Sequence, residues 1–183
     1  MGKDKAPAAP YDIDEQTGIV KGRELASRVV VFGSFGWALV EAELNSTFLT
    51  GGLAIIQRMG YSYGKYIGMV VKKQAGKTDP VYLAVDTLIK VSRESGWGKM
   101  VLTGGSLQSG VLRIILANCL FCSHTAKGRE AKCHFLAGVV GGLADEVAGG
   151  THRAREERCI AKEDNVCEIV LERVVSELPA GTQ

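Results

Sequence analysis

The apolar positions of this chain change period along its length. From Ala38 to about Met59 they recur at steps of three and four residues (Leu39, Ala42, Leu49, Leu53, Ile56), the spacing of one helix face, with Gly51 and Gly52 as weak points. A second helical stretch, Tyr61 to Lys73, follows Gly60. A third begins after Asp79, a good N-cap with Pro80 at the first helical position, and runs to about Glu94. Before them, Arg28 to Phe35 is β-branched and aromatic and bounded by glycine, which predicts a strand. Beyond residue 98 the pattern shortens: Lys99 to Thr103 and Gly110 to Leu120 read as strands broken at Gly104 and Gly105. Cys133 to Val147 returns to helical period and stops at Gly149 and Gly150. Thr151 to Ile160 and Val166 to Val174 predict a hairpin around the polar turn at 162–165. Helices grouped early and hairpins late predict an α+β fold, an antiparallel sheet covered by helices. Residues 1–18 and 177–183 read as flexible tails around a single domain, 19–176.

Composition narrows the function classes. Apolar residues are 46% and charged residues 23%, as in a globular protein with a sizeable core. Lys and Arg number 22 against 20 Asp and Glu, so no general electrostatic case for direct nucleic-acid binding exists. The one local basic cluster, His152, Arg153, Arg155 and Arg158, is interrupted by Glu156 and Glu157 and reads as a solvated strand face. No stretch reaches the ~18–20 apolar residues of a membrane span, and the N-terminus lacks a signal core, so the expected location is the cytoplasm. Five cysteines in a reducing compartment are metal ligands or buried thiols rather than disulfides.

Chemistry concentrates near the C-terminus. Cys133, Glu156, Cys159 and Cys167 form a C-x22-E-x2-C-x7-C pattern. Three thiols and a carboxylate suit the tetrahedral shell of Zn²⁺, and a site closed by four protein ligands is structural rather than catalytic. If the last hairpin turns about Glu163, Cys159 and Cys167 face each other on one side of it. Cys133 falls at a helix N-terminus, which favours a thiolate. Glu156 is the weak member: three residues before Cys159, a regular strand sends it to the opposite face unless a β-bulge intervenes. Arg153, Arg155, Arg158 and Lys162 are candidates to offset the negative charge of such a site. The competing reading is three buried cysteines and an unrelated exposed glutamate. Cys119 and Cys122 make a C-x-x-C inside an apolar, strand-like run, where i and i+3 point to opposite faces; buried thiols are expected there, with redox or metal use the alternative.

The catalytic inventory is thin. Gly60 to Lys65 is too short for a phosphate-binding loop, Gly33 to Gly36 is too short for a dinucleotide fingerprint, and no H-E-x-x-H or G-x-S-x-G occurs. His124 and His152 show no partner pattern. Gly138, Gly141 and Gly142 lie within the helix that begins at Cys133, at a cost of about 1 kcal/mol each against Ala. Either close approach of another backbone or room for a ligand explains them. The aromatics Phe32, Phe35, Trp37, Phe48, Phe121 and Phe135 are candidates for a cavity wall or plain core.

The segments CHFLAGVVGGLADEV and EERCIAKEDNVCEIV give the chain a resemblance to a known family, the 4-vinyl reductase domain. It covers roughly residues 26–173 and is most specific over 133–170. That domain occurs alone, as the sensor half of phenol- and toluene-responsive transcription activators, and in a protein of bacteriochlorophyll synthesis. The resemblance implies a helix-covered antiparallel sheet like that of the ligand-binding domain of NO-signalling and Golgi-transport proteins, an internal apolar pocket and a homodimer. It also implies a structural zinc, because the phenol-sensing members hold one with a ligand set of this kind, matching Cys133, Glu156, Cys159 and Cys167. Positions where phenol sensors carry tyrosines align with Ala137 and Ala154, which implies a larger or different ligand. The expected pocket residues are Phe35, Trp37, Phe121, His134, Ala137, Gly138 and Ala154. The expected function is zinc-stabilised binding of a small hydrophobic molecule in a sensor, carrier or regulatory role. With no ATPase or DNA-binding segment, any signal passes to a protein partner. The alternatives are an enzyme or enzyme subunit acting on a tetrapyrrole vinyl group and a ligand-free assembly protein.

Overall fold

The computed structural model describes residues 11–22, 27–29, 33–124, 127–128 and 130–174. Its elements are α+β as the periodicity predicts. A small antiparallel sheet comes first: β1 (Tyr11–Asp14), β2 (Ile19–Gly22) and β3 (Ser27–Arg28). Tyr11–Asp14 falls in the stretch expected to be tail. The Asp14 carboxylate, accepting from the backbone N–H groups of Gln16 and Thr17, closes a tight turn that Gly18 completes at φ 68°, so a hairpin forms. The rest of the expected tails, 1–10 and 177–183, lies outside the described residues, as do residues 30–32, Phe32 among them.

Helix α1 (Ser34–Phe48) starts inside the stretch expected to be a strand, and α2 (Thr50–Ala75) then runs unbroken through Gly60. The break between them falls at Leu49, at φ 50°, rather than at residue 60. Gly60 does not stop the helix because its missing side chain serves packing: a Cβ there would lie 2.0 Å from the Phe135 carbonyl oxygen. Helix α3 (Pro80–Glu94) begins where expected, with the Asp79 side chain accepting from the Val81 N–H at 3.0 Å.

The main sheet is antiparallel, in the order β4 (Lys99–Ser106), β5 (Val111–Ala117), β7 (Cys167–Arg173), β6 (His152–Arg158). Helix α4 (His134–Ala148) lies between β5 and β6 in sequence and packs chiefly on α2 and β6. One face of the sheet supplies Met100, Leu112, Ile114, Leu116, Ile169 and Leu171 to the core, under Leu136, Val140 and Leu143 of α4. The opposite face carries Arg113, Arg155, Arg158, Glu157, Glu168 and Glu172 in a run of ion pairs. Val170, opposite Arg113 and Arg155 in register, is fully buried on that face. Stems of long charged side chains cover apolar surface in this way.

Candidate metal centre and adjoining cavity

Four elements bring five cysteines together. Cys133 is the N-cap residue of α4, Cys167 opens β7, and Cys159 follows the last residue of β6. β6 and β7 pair Arg158 with Glu168, so Cys159 and Cys167 come next in the same register, opposite each other as the hairpin arithmetic expects. The register slips between Glu156 and Arg158. That bulge is the irregularity needed to bring Glu156 to the side of Cys159.

Cys119 and Cys122 depart from the expectation. β5 ends at Ala117, Asn118 turns the chain at φ 54°, and a 3-10 helix, Leu120–Cys122, follows. Strand alternation does not hold past residue 117, so both thiols turn to the same place. The Cys122 Sγ lies 3.5 Å from each of the Cys133, Cys159 and Cys167 sulfurs, and the Cys119 Sγ lies 3.3 Å from that of Cys133. All five cysteines are buried and none is in a disulfide. The donor atoms of Cys122, Cys133, Glu156, Cys159 and Cys167 lie within 4.8 Å of one another, a group that could hold a metal ion.

Glu156 is tied to the group through Oε2, which accepts from the Cys133 backbone N–H at 2.9 Å; Oε1 is buried with no hydrogen-bond partner. Burial, then the hydrogen bond with Cys159, pushes its carboxyl up to about 8. The thiols divide into donors and acceptors. Hydrogen bonds with Cys119 first, then with its other sulfur neighbours, leave Cys122 pushed up to about 12 and Cys133 well above the usual thiol range. Cys159 falls to about 6, chiefly through Cys122, and Cys167 to about 5, chiefly through Cys119. Two sulfurs are therefore thiolates at neutral pH, accepting S–H bonds from their neighbours. Soft sulfur donors in a dry setting are what a thiophilic ion such as Zn²⁺ takes.

Two of the basic residues expected to balance this charge, Arg155 and Arg158, do not turn toward it. Arg155 pairs with Glu157 and Glu172, and Arg158 with Glu168, all on the outer sheet face. The neighbour that sequence reasoning missed is Glu41 of α1, 5% exposed, with Oε1 unpartnered. Burial raises its carboxyl to about 7, against the pull of Lys132 and with repulsion from Cys122 and Glu156. Nothing in the helical period of α1 marks Glu41 as buried, because α1 exposes apolar residues on its other sides.

Three of the aromatic candidates, Trp37, Phe121 and Phe135, assemble beside the sulfur group. Trp37 meets Phe121 and Phe135 edge-on at 5.6 and 5.2 Å between ring centroids, and Tyr63 and Trp97, which the sequence did not single out, complete the cluster. His134, at the start of α4, is partly buried, and burial lowers its pKa. Phe35 is 61% exposed and rests edge-on against His124, which also shares a 2.8 Å hydrogen bond with Ser34.

Ala137, Gly138 and Ala154 instead line an open cleft of about 460 Å³ between α2, α4 and β6, with Ala54, Gln57, Arg58, Tyr61, Gly141 and Arg153 among its other walls. At its edge the Asp145 carboxylate accepts from the Tyr61 hydroxyl at 2.8 Å, from the His152 N–H at 2.7 Å and from the His152 Nδ1 at 2.9 Å. A carboxylate only accepts, so the proton of a neutral His152 ring sits on Nδ1 and Nε2 carries the lone pair. That Nε2 is buried without a partner. Tyr61, Asp145 and His152 come from three elements, and no local motif joins them.

No family model matches the sequence. An uncharacterized protein of Methanocaldococcus jannaschii is 24% identical over 123 residues, 67% of this chain and 68% of that one. Among the solved structures that share the fold are three of different description. The phenol-responsive sensory domain of the transcription activator PoxR, with phenol, superposes with a TM-score of 0.73 over 90% of this chain and 85% of its own, at 13% identity. Subunit 3 of a trafficking protein particle complex from Naegleria fowleri, covalently bound to palmitic acid, gives 0.58 over 78% and 93%, at 11% identity. A vinyl-4-reductase family protein of Methanocaldococcus jannaschii gives 0.55 over 83% and 87%, at 18% identity. The architecture is thus one also found in that sensory domain, that trafficking subunit and that vinyl-4-reductase family protein, the last of the family that the segments around Cys133 and Cys159 resemble. Among the described residues no helix is long and apolar enough to cross a membrane.

Proposed function

We propose that this chain is a binding domain for a small hydrophobic molecule, with a structural zinc ion at the sulfur group stiffening one end of α4 and a homodimer as the working form. The observation that carries the reading is the cavity on the flank of α4. Ala137 and Gly141 of α4 and Ala154 of β6 are small, so volume is left beside His152 and Arg153 where larger side chains would close it. At about 460 Å³ it falls within the usual range of small-molecule sites. Cysteine and carboxylate donors are supplied by β6, β7, the turn after β5 and the first residue of α4. An ion there would tie these together and so set the position of α4 over the sheet. Zinc would serve this role without chemistry of its own, since four protein donors leave no coordination position open.

A ligand that fits has an apolar body and one polar end. The body would lie along Ala54, Ala137, Gly141 and Ala154, and the polar end near Arg58 and Arg153. Burying ~200 Å² of apolar ligand surface contributes on the order of 5 kcal/mol before association costs, enough for micromolar binding with a few polar contacts. Signal output would pass through a protein partner, and no turnover by the chain alone is expected. The test is mass spectrometry of small molecules retained by the purified protein, followed by a thermal-shift screen of aromatics, fatty acids, isoprenoids and tetrapyrroles. Stabilisation by an apolar class supports the reading. Absence of any retained or stabilising molecule overturns it, and steady reduction of a vinyl tetrapyrrole would replace it with an enzymatic role.

A further inference from the structure

The donor set implied by the resemblance is Cys133, Glu156, Cys159 and Cys167. The geometry points to a different shell in this chain: Cys122, Cys133, Cys159 and Cys167 hold the ion as four sulfurs, and Glu156 stands outside it as the group that positions Cys133. The inference rests on the metal part of the function proposed above and concerns which atoms bind.

The Cys122 Sγ is placed 3.5 Å from each of the Cys133, Cys159 and Cys167 sulfurs. A tetrahedral ion with metal–sulfur bonds of about 2.3 Å has sulfur–sulfur edges of about 3.8 Å. Three edges already near that length make Cys122 the apex over a triangle of thiols. Small outward shifts then open a site at the centre, without rearrangement of the backbone. Such short edges suit one ion rather than a multinuclear cluster. Glu156 commits Oε2 to the backbone N–H of Cys133, 2.9 Å away, while its Oε1 stays buried without a hydrogen-bond partner. This bond resembles the reach-back contact of a helix capping box, and it holds the first residue of α4 against the bulge of β6. A four-coordinate ion needs no fifth donor once Cys122 is present. Cys119, 3.3 Å from Cys133, falls outside the mutually close set and stands beside the shell.

X-ray absorption at the zinc edge of the zinc-loaded full chain decides the matter. Four sulfurs at about 2.3 Å and no short oxygen are expected. Cys119→Ser should leave that count at four, and Cys122→Ser should reduce it to three with one oxygen or nitrogen added. Glu156→Ala, which removes the acceptor for Cys133, should preserve four sulfurs while zinc affinity falls by ~10–100-fold, as for loss of an outer-sphere partner. Three sulfurs plus an oxygen at about 2.0–2.2 Å in the unaltered chain would overturn this assignment and leave the structural-metal reading standing. Failure of the unaltered chain to take up zinc would overturn both. Because the spectrum of the unaltered chain discriminates alone, a variant that does not fold leaves the result intact.

Discussion

Gly142 of α4 sits directly on the Tyr61 carbonyl of α2: a Cβ at Gly142 would lie 2.0 Å from that oxygen. Gly138 stands in the same relation to the Gln57 carbonyl, also at 2.0 Å, and Gly60 and Gly64 of α2 reciprocate against Phe135 and Val139. The two helices therefore pack backbone to backbone, and the glycines of α4 divide by role. Gly142→Ala has nowhere to place its methyl without parting the helices, and a destabilisation of about 1–3 kcal/mol is expected. Chemical denaturation measures it; an unchanged midpoint would mean that the helices separate freely.

Gly141 is the contrasting position. The nearest atom to a Cβ there is that of Ala154, 3.7 Å away, across the cavity lining. Gly141→Leu should fill the cavity and abolish thermal shifts from apolar ligands, while zinc content stays at one ion per chain. Hits that persist in this variant would move the ligand elsewhere. Gly138, also among the expected pocket residues, is the wrong place for this test, because a side chain there strikes the Gln57 carbonyl before it reaches the ligand.

Metal removal has a directional pH signature. Cys159 at about 6 and Cys167 at about 5 are thiolates at pH 7, whereas Cys122, at about 12, and Cys133, held well above the usual thiol range by its sulfur neighbours, are thiols. Binding through all four sulfurs must expel about two protons, so apparent zinc affinity should rise on the order of 100-fold per pH unit near neutrality. Competition titration with a chromophoric chelator at several pH values reads this slope. A pH-independent affinity would show that the ion meets sulfurs already ionised. Chelation, or Cys159→Ser, should also lower the melting temperature.

Glu41 gives stability its own pH dependence. Its carboxyl is raised by burial to about 7, so the folded chain binds a proton more tightly than the unfolded one. Stability from this group is then greatest below about pH 4.5 and declines as pH rises toward 7. A rise of roughly two to three units corresponds to on the order of 3 kcal/mol at about 1.4 kcal/mol per unit. Glu41→Gln should recover much of that at pH 8 and little at pH 4, measured by denaturation of metal-free protein, with Lys132, Cys122 and Glu156 the charged neighbours left in place. Equal effects at both pH values would show that Glu41 is ionised in the fold.

A homodimer is expected from the apolar residues that α1 and α2 leave uncovered: Leu39, Phe48, Leu49, Ile55, Met59 and Met69 are each 40–74% exposed. Ile56 and Ile67, which the helical pattern groups with them, are buried within the chain at 2% and 0% and take no part. Light scattering should give twice the chain mass, and Ile55→Glu with Met59→Glu should give the monomer. A monomeric mass for the unaltered chain at micromolar concentration would remove the dimer. A salt-dependent shift with random duplex DNA would contradict the expected lack of nucleic-acid affinity.

Local chemistry made much of this legible without coordinates. Asp79 and Pro80 start a helix because a side-chain oxygen and a fixed φ act on their immediate neighbours. Cys159 and Cys167 converge because a hairpin is symmetric about its turn, and Cys133 joins them at a helix start. Tertiary structure decided what periodicity cannot carry. Cys119 and Cys122 follow strand alternation on paper, but one residue at positive φ, Asn118, ends the strand and turns both sulfurs into the group. Gly60 reads as a break until Phe135 of another helix is seen to occupy its missing side chain. Asp145, His152 and Tyr61 meet only once α2, α4 and β6 are packed. In each case the deciding contact is made by a residue distant in sequence or by the shape of a turn, and neither leaves a mark in the spacing of apolar residues.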